Sequence, residues 1–508
     1  MITVPDDFPT IQEAVNNANE DDTIFVRNGT YYENVVVNKT ISFVGEDMEA
    51  TVIDANYTGT AVNVTANYVN VTGFTFQHGE NPDPFDPVVK PWSGILIRKA
   101  NYTHVSGNII RQNGMWGIYV SRSNNCTVVN NTICENGWFG VDLDFSECCL
   151  IDNNTVSGNG VDAFGAMVAV AGGNNTLSNN LFVGNSEGIW ISHERYDLIK
   201  NNIVRSDSQF NLYLWVSYDC LVLDNVFADC YTGIREGFGG YNMICRNLIT
   251  NNNIGIRYET EFRVWWYNSL YLNNFVNNTV QAMIPTTKNS TWDDGVKGNY
   301  WSDYTGTDLD GDGIGDAPYI VSGDNLDNYP LMEPYSGLHD IGVAIRASKT
   351  VVGQGYNTTI TLNVTVRNHS EQTESFNLTF DMLGTDFEVE LNLTGWGSST
   401  FTFALNTTGF TIGNYTLWSS VSPVPSEGDM RDNNRSLTIR VTIPGDISST
   451  SQGVPDGRVD MRDIQYMIIQ FNTKPTSPNW NPNADVNDDN TVNMRDIMIA
   501  IINFNRHE

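Results

Sequence analysis

The chain has 508 residues, of which 40% are hydrophobic and 17% are charged, and this length is too great for a single hydrophobic core. At about 150 residues per domain, about three domains are expected. The 59 acidic residues outnumber the 27 basic residues and give a net charge of -32, which argues against a nucleic-acid partner because a phosphate backbone requires Lys and Arg. No run of about 18 apolar residues occurs, so the sequence predicts no transmembrane anchor.

The first predicted elements lie near the N-terminus. A short helical pattern and three strand patterns stand at Ile11–Ala18, Asp22–Val35, Ile41–Glu46 and Thr51–Asp54. Together these segments resemble the opening of the pectin-lyase-like β-helix superfamily. The resemblance implies an amphipathic capping helix followed by the first coils of a β-helix.

A repeat follows, in which two short phrases recur in phase. The first recurs at steps of 22 or 23 residues with one double step of 48, and begins at Gly94, Gly117, Gly140, Gly188, Asn211, Gly233 and Gly255. The second begins at Asn108, Asn131, Asn154, Asn180, Asn202, Asn225, Asn247 and Asn274. Two phrases that recur in phase at this period predict a solenoid. The Gly, Asn and β-branched residues of the phrases disfavour helices. We therefore predict a mainly β fold, with a right-handed parallel β-helix from about Gly94 to about Ala282.

Asparagines and cysteines of the repeat are expected to stack from rung to rung. The Asn of the second phrase falls at a turn, where Asn tolerates left-handed geometry and its amide can bond to the next rung. Cys126 and Cys149 each lie five residues before such an Asn, so they stack on adjacent rungs. Either a disulfide or a ladder of buried thiols fits this spacing, and we favour the ladder.

One row of side chains is predicted to point outward from the β-helix. Strand alternation places Tyr119, Asp142, Trp190, Tyr213, Arg235 and Arg257 in this row, with Asp144 beside Asp142. Aromatic rings can stack on sugars, Arg can pair with uronates, and an Asp pair can act as acid and base. Asp142, Asp144, Arg235 and Arg257 are therefore weak catalytic candidates. We favour the alternative, a polar and aromatic outer face without catalysis.

An acidic loop follows the repeat. Asp308, Asp310, Asp312, the Ile314 carbonyl and Asp316 stand at alternate positions with a Gly turn, which is the arrangement that a seven-coordinate calcium ion requires. The segments 299–304, 308–319 and 327–332 resemble the C-terminal module of NosD-type repeat proteins. With the N-terminal segments, the resemblance extends over residues 1–335, which we assign to the first domain. Only six His are present and they are scattered, so no copper site is predicted.

Residues 336–443 are predicted to form an Ig-like β-sandwich. Alternating strand patterns at Thr359–Val366, Phe376–Phe380, Gly413–Trp418 and Leu437–Ile443 are separated by turn residues. The phrases at 348–355 and 432–434 resemble the CARDB family of surface domains. This resemblance implies a spacer or adhesion role.

Residues 444–508 contain two further acidic loops, each followed by a helical pattern. The second loop places oxygen ligands at Asp485, Asn487, Asp489, Thr491, Asn493 and Asp496. The first loop, interrupted by an insertion of about six residues, offers Asp446, Ser448, Asp456, Arg458, Asp460 and Asp463. Asp at the last ligand position and one helix per loop resemble a dockerin module. About three calcium ions are therefore expected in the whole chain.

The same residue pair stands at positions 10 and 11 of both loops, Met461–Arg462 and Met494–Arg495. In dockerins these loop positions face the cohesin partner, so the resemblance implies that the two pairs bind either a cohesin-like domain or a neighbouring copy of this chain. The alternative is an internal duplication without a partner.

Asn-x-Ser/Thr sequons are dense throughout the chain, and part of them reflects ordinary turn chemistry. They begin at Asn28, Asn38, Asn56, Asn63, Asn70, Asn101, Asn125, Asn130, Asn153, Asn174, Asn277, Asn289, Asn357, Asn363, Asn368, Asn377, Asn392, Asn406, Asn414 and Asn434. The sequence thus predicts an extracellular, glycosylated cell-surface protein that assembles through calcium-stabilised modules, and the resemblance implies an archaeal one. The alternative is a secreted protein that binds or cleaves a polysaccharide and uses its dockerin-like end for attachment.

Overall fold

A computed structural model describes residues 1–80, 92–160, 165–205, 208–259, 267–285, 290–309, 311–335, 339–355, 359–370, 372–395, 397–425, 427, 430–449, 454–475, 477 and 480–507. The chain divides into two compact units, the first formed by Met1–Thr307 with Gly315–Tyr335 and the second by Asp308–Ile314 with Ser336–Glu508. Among the described residues, a large hydrophobic core lies in the first unit, and two smaller cores lie in the second. The domain boundaries after residues 335 and 443 stay predictions.

The first unit is a parallel β-solenoid, and each of its turns, called a rung below, contributes one short strand to each of three sheets. Sheet A contains Ile2–Val4, Thr23–Val26, Ser42–Gly45, Asn70–Thr72, His104–Ser106, Thr127–Val129, Leu150–Asp152, Thr176–Ser178, Leu198–Lys200, Leu221–Leu223, Met243–Cys245 and Ser269–Tyr271. Sheet B contains Gly29–Tyr31, Thr51–Asp54, Thr75–Gln77, Ile109–Arg111, Thr132–Cys134, Thr155–Ser157, Leu181–Val183, Ile203–Arg205, Val226–Ala228, Leu248–Thr250, Asn274–Val276 and Tyr300–Trp301. Sheet C contains Val35–Val37, Val62–Val64, Ser93–Arg98, Trp116–Ser121, Val141–Asp144, Met167–Val170, Ile189–Ser192, Phe210–Trp215, Thr232–Glu236, Ile254–Tyr258 and Val280–Met283.

The predicted solenoid is confirmed, and it extends beyond Gly94 and Ala282 at both ends. Its core forms because the central apolar residue of each strand pairs in register with that of the next rung, as Val105 does with Val128 and Val128 with Ile151. These side chains are fully buried. A single rung buries too little apolar surface to fold alone, so the stack is the stable unit.

A buried ladder of asparagine side chains runs along the solenoid. In each step the Nδ2 of one Asn donates to the Oδ1 of the Asn on the next rung, at 2.9–3.1 Å, and the members are Asn108, Asn131, Asn154, Asn180, Asn202, Asn225, Asn247, Asn273 and Asn299. The prediction of Asn274 as the eighth member is wrong by one residue. Asn274 instead bonds to Tyr335 through both its amide nitrogen and its oxygen.

The two ends of the solenoid carry irregular elements. Helix α1 (Ile11–Asn17) lies at the N-terminal end, and its N-cap Thr10 accepts from the backbone N–H of Glu13 at 3.2 Å. At the C-terminal end, strands Tyr319–Ser322 and Asn325–Asp327 form an antiparallel pair. A small parallel pair, Ser217–Tyr218 with Gly239–Gly240, lies along the stack.

The second unit contains two sheets followed by two helices. One sheet is formed by Ile341–Ala347, Thr359–Asn368 and Ser398–Asn406, and the other by Val351–Gly353, Asn434–Thr442, Gly413–Val421, Glu374–Asp381 and Asp386–Leu393. A 3-10 turn spans Arg431–Asn433. Inward-facing Val364, Leu378, Phe380 and Leu417 belong to the core between the sheets.

Helices α2 (Met461–Ile469) and α3 (Met494–Ile502) are built alike. Each begins with a capping box, Asp460 with Asp463 in α2 and Asn493 with Asp496 in α3. A 3-10 turn at Pro482–Ala484 precedes the loop of α3. The helices share a small core that includes Met467, Val492 and Ala500. Within the described part of the chain, every helix is too short or too polar to cross a membrane.

Candidate functional site

The loop before α3 gathers three carboxylates. Ligand oxygens of Asp485, Asp489 and Asp496 all lie within 4.8 Å of one another, and Asp485 and Asp496 are buried. Carboxylate oxygens at this spacing, three to a loop, suit a hard cation such as calcium. The structure therefore brings together three of the six ligands predicted here.

Backbone N–H groups fix the orientation of these carboxylates. Asp485 accepts from the N–H groups of Asp489 at 3.1 Å and Asn490 at 2.8 Å, and Asp496 accepts from those of Asn487 at 3.1 Å and Asn493 at 2.8 Å. The Asn493 amide also donates to the Thr491 carbonyl at 3.0 Å. The other predicted ligands, Asn487, Thr491 and Asn493, therefore belong to the same hydrogen-bonded loop.

Lys349 of the sandwich reaches this loop, which the sequence did not indicate. Its ammonium donates to the Asp485 carbonyl and lies 3.6 Å from Asp488 Oδ1, and its side chain is 5% exposed. Asn483 Oδ1 also accepts from the N–H groups of Thr350 at 3.0 Å and Val351 at 3.1 Å. The sandwich thus holds the start of the loop in place.

The loop before α2 repeats the arrangement. Asp446 accepts from the N–H groups of Asp456 at 3.1 Å and Gly457 at 2.9 Å, and burial raises its pKa to about 6. Asp463 accepts from the N–H groups of Ile447 and Ser448, both at 2.8 Å, and burial raises its pKa as well. Asp446, Ser448 and Asp463 are all buried. The backbone thus holds two buried carboxylates in this loop, and their role as calcium ligands stays a prediction.

The remaining predicted ligands of this loop lie at its outer side. The Arg462 guanidinium pairs with Asp460 at 2.5 Å and with Asp456 at 3.1 Å, and its hydrogen bond holds the pKa of Asp460 below the usual range. The N–H of Arg458 donates to Asp456 at 3.2 Å. Arg462 therefore pairs within its own loop, whereas Arg495 is 80% exposed and its guanidinium lies 3.7 Å from Asp489 Oδ2.

Large apolar side chains are exposed on both C-terminal helices and the turns after them. We call this set the docking face, and it consists of Met461, Ile468, Ile469, Phe471, Met494, Met498, Ile501, Ile502 and Phe504. Met461 and Ile468 are seven residues apart in α2, as are Met494 and Ile501 in α3, so each pair lies on one helical face. Both predicted partner-binding methionines belong to this face.

The acidic loop after the solenoid contains an internal hydrogen-bond network. Asp308 accepts from the N–H groups of Gly311 at 2.7 Å, Asp312 at 3.1 Å and Gly313 at 2.9 Å, while Asp312 accepts from that of Ile314 at 2.7 Å and also pairs with Arg435. In the first unit, Asp316 accepts from Thr307 Oγ1 at 3.4 Å. Asp310 lies outside the described residues. The ligand set for this loop stays a prediction.

The outward row of the solenoid is continuous along sheet C. Strand register aligns Tyr119, Asp142, Val168, Trp190, Tyr213, Arg235 and Arg257. Trp116, Phe139 and Val168 form a small apolar cluster on this face, against which Tyr119 and Trp190 pack. The row is thus more apolar and less exposed than the sequence predicted.

The weak catalytic candidates do not converge on one point. Asp142 is 8% exposed, and burial raises its pKa to about 8. Asp144 accepts from the Tyr119 hydroxyl at 3.0 Å. Arg235 lies four rungs from Asp142, about 19 Å away at about 4.8 Å per rung, where it pairs with Glu259 at 2.5 Å. The acidic pair and Arg235 with its neighbour Arg257 are therefore separate features.

Most predicted glycosylation asparagines are accessible. Exposed positions are Asn28, Asn38, Asn56, Asn70, Asn125, Asn130, Asn153, Asn174, Asn277, Asn363, Asn377, Asn392, Asn406, Asn414 and Asn434, while Asn63 and Asn101 are half-buried. Asn289 and Asn357 lie outside the described residues. Asn368 is buried, and its Nδ2 donates to the carbonyls of Gln372, Leu393 and Thr394, so a glycan on this nitrogen is incompatible with the fold.

Cys126 and Cys149 are buried, unpaired thiols in this structure. The Cys126 thiol donates to the Ala100 carbonyl at 3.4 Å, and the Cys149 thiol donates to the Ser123 carbonyl at 3.5 Å. The two cysteines occupy equivalent places on adjacent rungs. Their burial and stacking agree with the predicted ladder of buried thiols, and the absence of a disulfide stays a prediction.

Three family models match parts of the chain. They are described as "Right handed beta helix region" for residues 10–182, "Periplasmic copper-binding protein (NosD)" for residues 162–306, and "Dockerin type I domain" for residues 455–505. The first two lie on the solenoid, and the third lies on the two-helix module.

Individual proteins are similar over shorter stretches or at low identity. A "Probable ABC transporter binding protein NosD" of Pseudomonas aeruginosa is 39% identical over 62 residues, which are 12% of this chain and 14% of that protein. The mannuronan C-5 epimerase AlgE6 A-module of Azotobacter vinelandii has a TM-score of 0.39 and 14% identity, over 55% of this chain and 91% of that chain. A CARDB domain of Pyrococcus furiosus, solved in complex with di-metal ions, has a TM-score of 0.18 and 21% identity, over 21% of this chain and 90% of that domain. The solenoid thus carries right-handed β-helix and NosD matches, and the C-terminal module carries a dockerin type I match.

Proposed function

We propose that this protein is an extracellular, N-glycosylated surface protein with a structural or adhesive role, in which the solenoid is a rigid spacer and the two-helix module attaches to a partner. The docking face carries this proposal. Nine large apolar side chains are exposed within residues 461–504, and exposed apolar side chains in such number suit a surface that binds a protein partner. The dockerin type I match to the same residues supports this role.

The partner that we propose is a cohesin-like domain, which is the partner implied by a dockerin module. A neighbouring copy of the chain, giving a layer or filament, is the second candidate. Calcium is the proposed cofactor, with one ion in each C-terminal loop and a third in the loop that begins at Asp308. Asp463 and Asp496 belong to the capping boxes of the two helices and are also proposed ligands, so calcium binding would be coupled to the helices that present the docking face.

The docking proposal is tested by binding to a purified cohesin domain in calcium and after chelation. Replacing Met461 and Met494 by Glu places a charge in each half of the docking face at a first helical turn, where Glu is compatible with the helix. We expect this double variant to lose about a hundredfold in affinity. The matched control is Met430→Glu, at an exposed methionine of the sandwich, which should bind as the unmodified protein does.

The size of the protein, measured by light scattering with and without calcium, separates the two partners. Self-association in calcium that the double Glu variant abolishes favours neighbouring copies. A protein that stays monomeric in calcium and does not bind the cohesin domain would contradict the docking function.

The distribution of sequons supports the extracellular part of the proposal. Exposed sequon asparagines occur both on the solenoid and on the sandwich, so sugars can coat both units. A glycosylated protein of the archaeal surface type, as the sequence resemblance implies, fits this distribution. Peptide mapping of protein from its native source would identify the occupied sites.

A polysaccharide-binding role for the outward row is the second candidate. Trp190 and Tyr213 stack with ring centroids 5.9 Å apart, and the Arg235 guanidinium lies 4.4 Å from the centre of the Tyr213 ring. Aromatic faces beside a guanidinium suit an acidic sugar. Incubation with uronate polymers, followed by absorbance for unsaturated ends and a reducing-sugar assay, tests it. Turnover that Asp142→Ala abolishes would establish an enzyme and contradict the purely structural role.

A further inference from the structure

Three buried side chains meet at one end of the β-sandwich. Asp340 directly precedes the strand Ile341–Ala347, His369 directly follows the strand Thr359–Asn368, and Asp432 lies in the 3-10 turn Arg431–Asn433. All three residues are fully buried. They come from distant parts of the sequence, so the fold alone brings them together.

Their spacing matches that of ligands around a metal ion. One ligand atom from each side chain lies within 4.8 Å of the other two. The Nδ1 of His369 lies 3.4 Å from Asp340 Oδ2, which is longer than the usual range of a hydrogen bond. Two ligands bound to one tetrahedral zinc ion at about 2.0–2.1 Å are about 3.3–3.4 Å apart.

The backbone around His369 is held rigidly. Asn368 donates to three carbonyls, and its Oδ1 accepts from the N–H of Ser370 at 2.9 Å and from the Ser370 hydroxyl at 2.8 Å. The N–H of His369 donates to the Asp340 carbonyl at 2.8 Å, which joins two of the three elements. Metal sites require ligands fixed in this way before the ion arrives.

Two further carboxylates lie at this end of the sandwich. Glu427 accepts from the N–H of Ile341 at 3.0 Å and from the Asn433 amide at 3.0 Å, and its pKa is raised by burial and by the nearby Asp340 carboxylate. Glu374 lies at the same end and accepts from His339 Nδ1 at 2.7 Å. Buried carboxylates are stable when they are paired or when they coordinate a cation.

We propose that Asp340, His369 and Asp432 bind one divalent transition-metal ion of the zinc class, in a structural site that ties together the three ends of the sandwich. The imidazole distinguishes this site from the calcium loops, because calcium takes oxygen ligands, whereas imidazole with carboxylates suits zinc and its neighbours. The site has no exposed ligand, so its role is to hold the fold and not to turn over a substrate.

The test uses the full chain, stripped with a chelator, returned to excess calcium and then titrated with zinc. We expect one zinc ion per chain to remain after unbound metal is removed, and the melting temperature of the sandwich to rise. His369→Gln should weaken zinc binding by at least about tenfold, since a structural site depends on each ligand. His339→Gln is the matched control, because His339 lies at the same end but outside the cluster, and it should bind zinc as the unmodified protein does.

X-ray absorption on the zinc-loaded, unmodified protein keeps the proposal testable if His369→Gln does not fold. The expected spectrum shows nitrogen and oxygen neighbours with a single imidazole. Three results would overturn the proposal: no zinc retained in excess calcium, equal affinity in a folded His369→Gln variant, or a zinc site with sulfur or several imidazoles. Any of them would leave His369 and Asp340 as an ion pair without metal.

Discussion

The backbone N–H of Asn299 donates to Oδ2 of Asp327 at 2.7 Å, and this bond closes the C-terminal end of the asparagine ladder. The same carboxylate accepts from the Trp301 indole at 2.8 Å and from the N–H of Tyr329 at 3.1 Å. Burial raises the pKa of Asp327 to about 7. Asp327, which lies in the segment after the last rung, therefore accepts hydrogen bonds that a further rung would otherwise accept.

Replacing Asp327 by Ala should destabilise the solenoid by about 3–5 kcal/mol, because it leaves several buried N–H donors without an acceptor. Urea unfolding followed by tryptophan fluorescence measures the change, since Trp301 lies at the site. Asp324→Ala, at an exposed aspartate nearby, should shift the transition by less than about 0.5 kcal/mol. Equal effects of the two substitutions would show that Asp327 does not close the ladder.

The ladder itself can be tested by the same substitution at two adjacent residues. Asn154 is buried and its Nδ2 donates to Val128, Asp152 and Asn180, whereas Asn153 is exposed. In unglycosylated protein, Asn154→Asp should cost at least about 3 kcal/mol, since it removes the donor and buries a carboxylate. Asn153→Asp should be nearly neutral. Chemical denaturation of both variants gives the comparison, and similar free energies of unfolding would contradict a structural role for the ladder.

Stability should fall as the pH rises, because buried carboxyl groups are protonated in the fold. Burial raises the pKa of Glu236 to about 8, from the ordinary value of 4.5 for a glutamate side chain. Between these values the folded state holds a proton that the unfolded state has lost, so the free energy of unfolding decreases with rising pH. Glu236→Gln should reduce the difference in stability between about pH 5 and about pH 8, whereas the exposed Glu333→Gln should not. An unchanged pH dependence in Glu236→Gln would show that this group does not titrate as described.

Thiol reactivity should distinguish neighbouring cysteines. Cys148 is exposed, whereas Cys126 and Cys149 are buried and donate to carbonyls. A maleimide added to the native protein should modify Cys148 and leave Cys126 and Cys149 unmodified until urea unfolds the solenoid. Mass spectrometry of the peptides identifies which cysteines the maleimide has modified. Native protein that carries a Cys126–Cys149 disulfide would contradict the thiol ladder.

Calcium affinity should depend on Asp489. Its carboxylate is one of the three that lie together, and it accepts from the N–H of Thr491 at 3.1 Å and from the side chains of Asn487 and Asn493. We expect Asp489→Ala to weaken calcium binding to this loop by about 10–100-fold, measured by calorimetry. Asp386→Ala, in a sandwich strand, is the control. An unaltered titration in Asp489→Ala would exclude this residue as a ligand.

The regular parts of the fold were predictable because they repeat. Gly117, Gly140 and their equivalents fix the rung length, so sheet C and its outward row could be placed by residue number. Asn273 could not be placed in this way, because Asn273 and Asn274 are adjacent and only the strand register decides which of the two side chains faces inward. A second ladder, which includes Asn113, Asn136 and Asn159, was missed, although each of these residues lies five positions after a member of the first.

The acidic cluster before α3 was predictable from the spacing of its residues, whereas contacts between distant segments were not. Asp485, Asp489 and Asp496 lie within one short stretch, so their order in the sequence already determines their proximity. Lys349 lies more than a hundred residues from Asp485, and Asp340, His369 and Asp432 are similarly dispersed. Packing between distant segments brings such residues together, and no local sequence pattern indicates these contacts.

The asparagine ladder bonds each rung to the next in the same way along its whole length. A rung can therefore be removed or duplicated between two ladder asparagines without altering the bonds on either side. Each such change would shift the distance between α1 and the Asp327 closure by about 4.8 Å. The length of the solenoid is therefore set by its number of rungs, independently of what its ends bind.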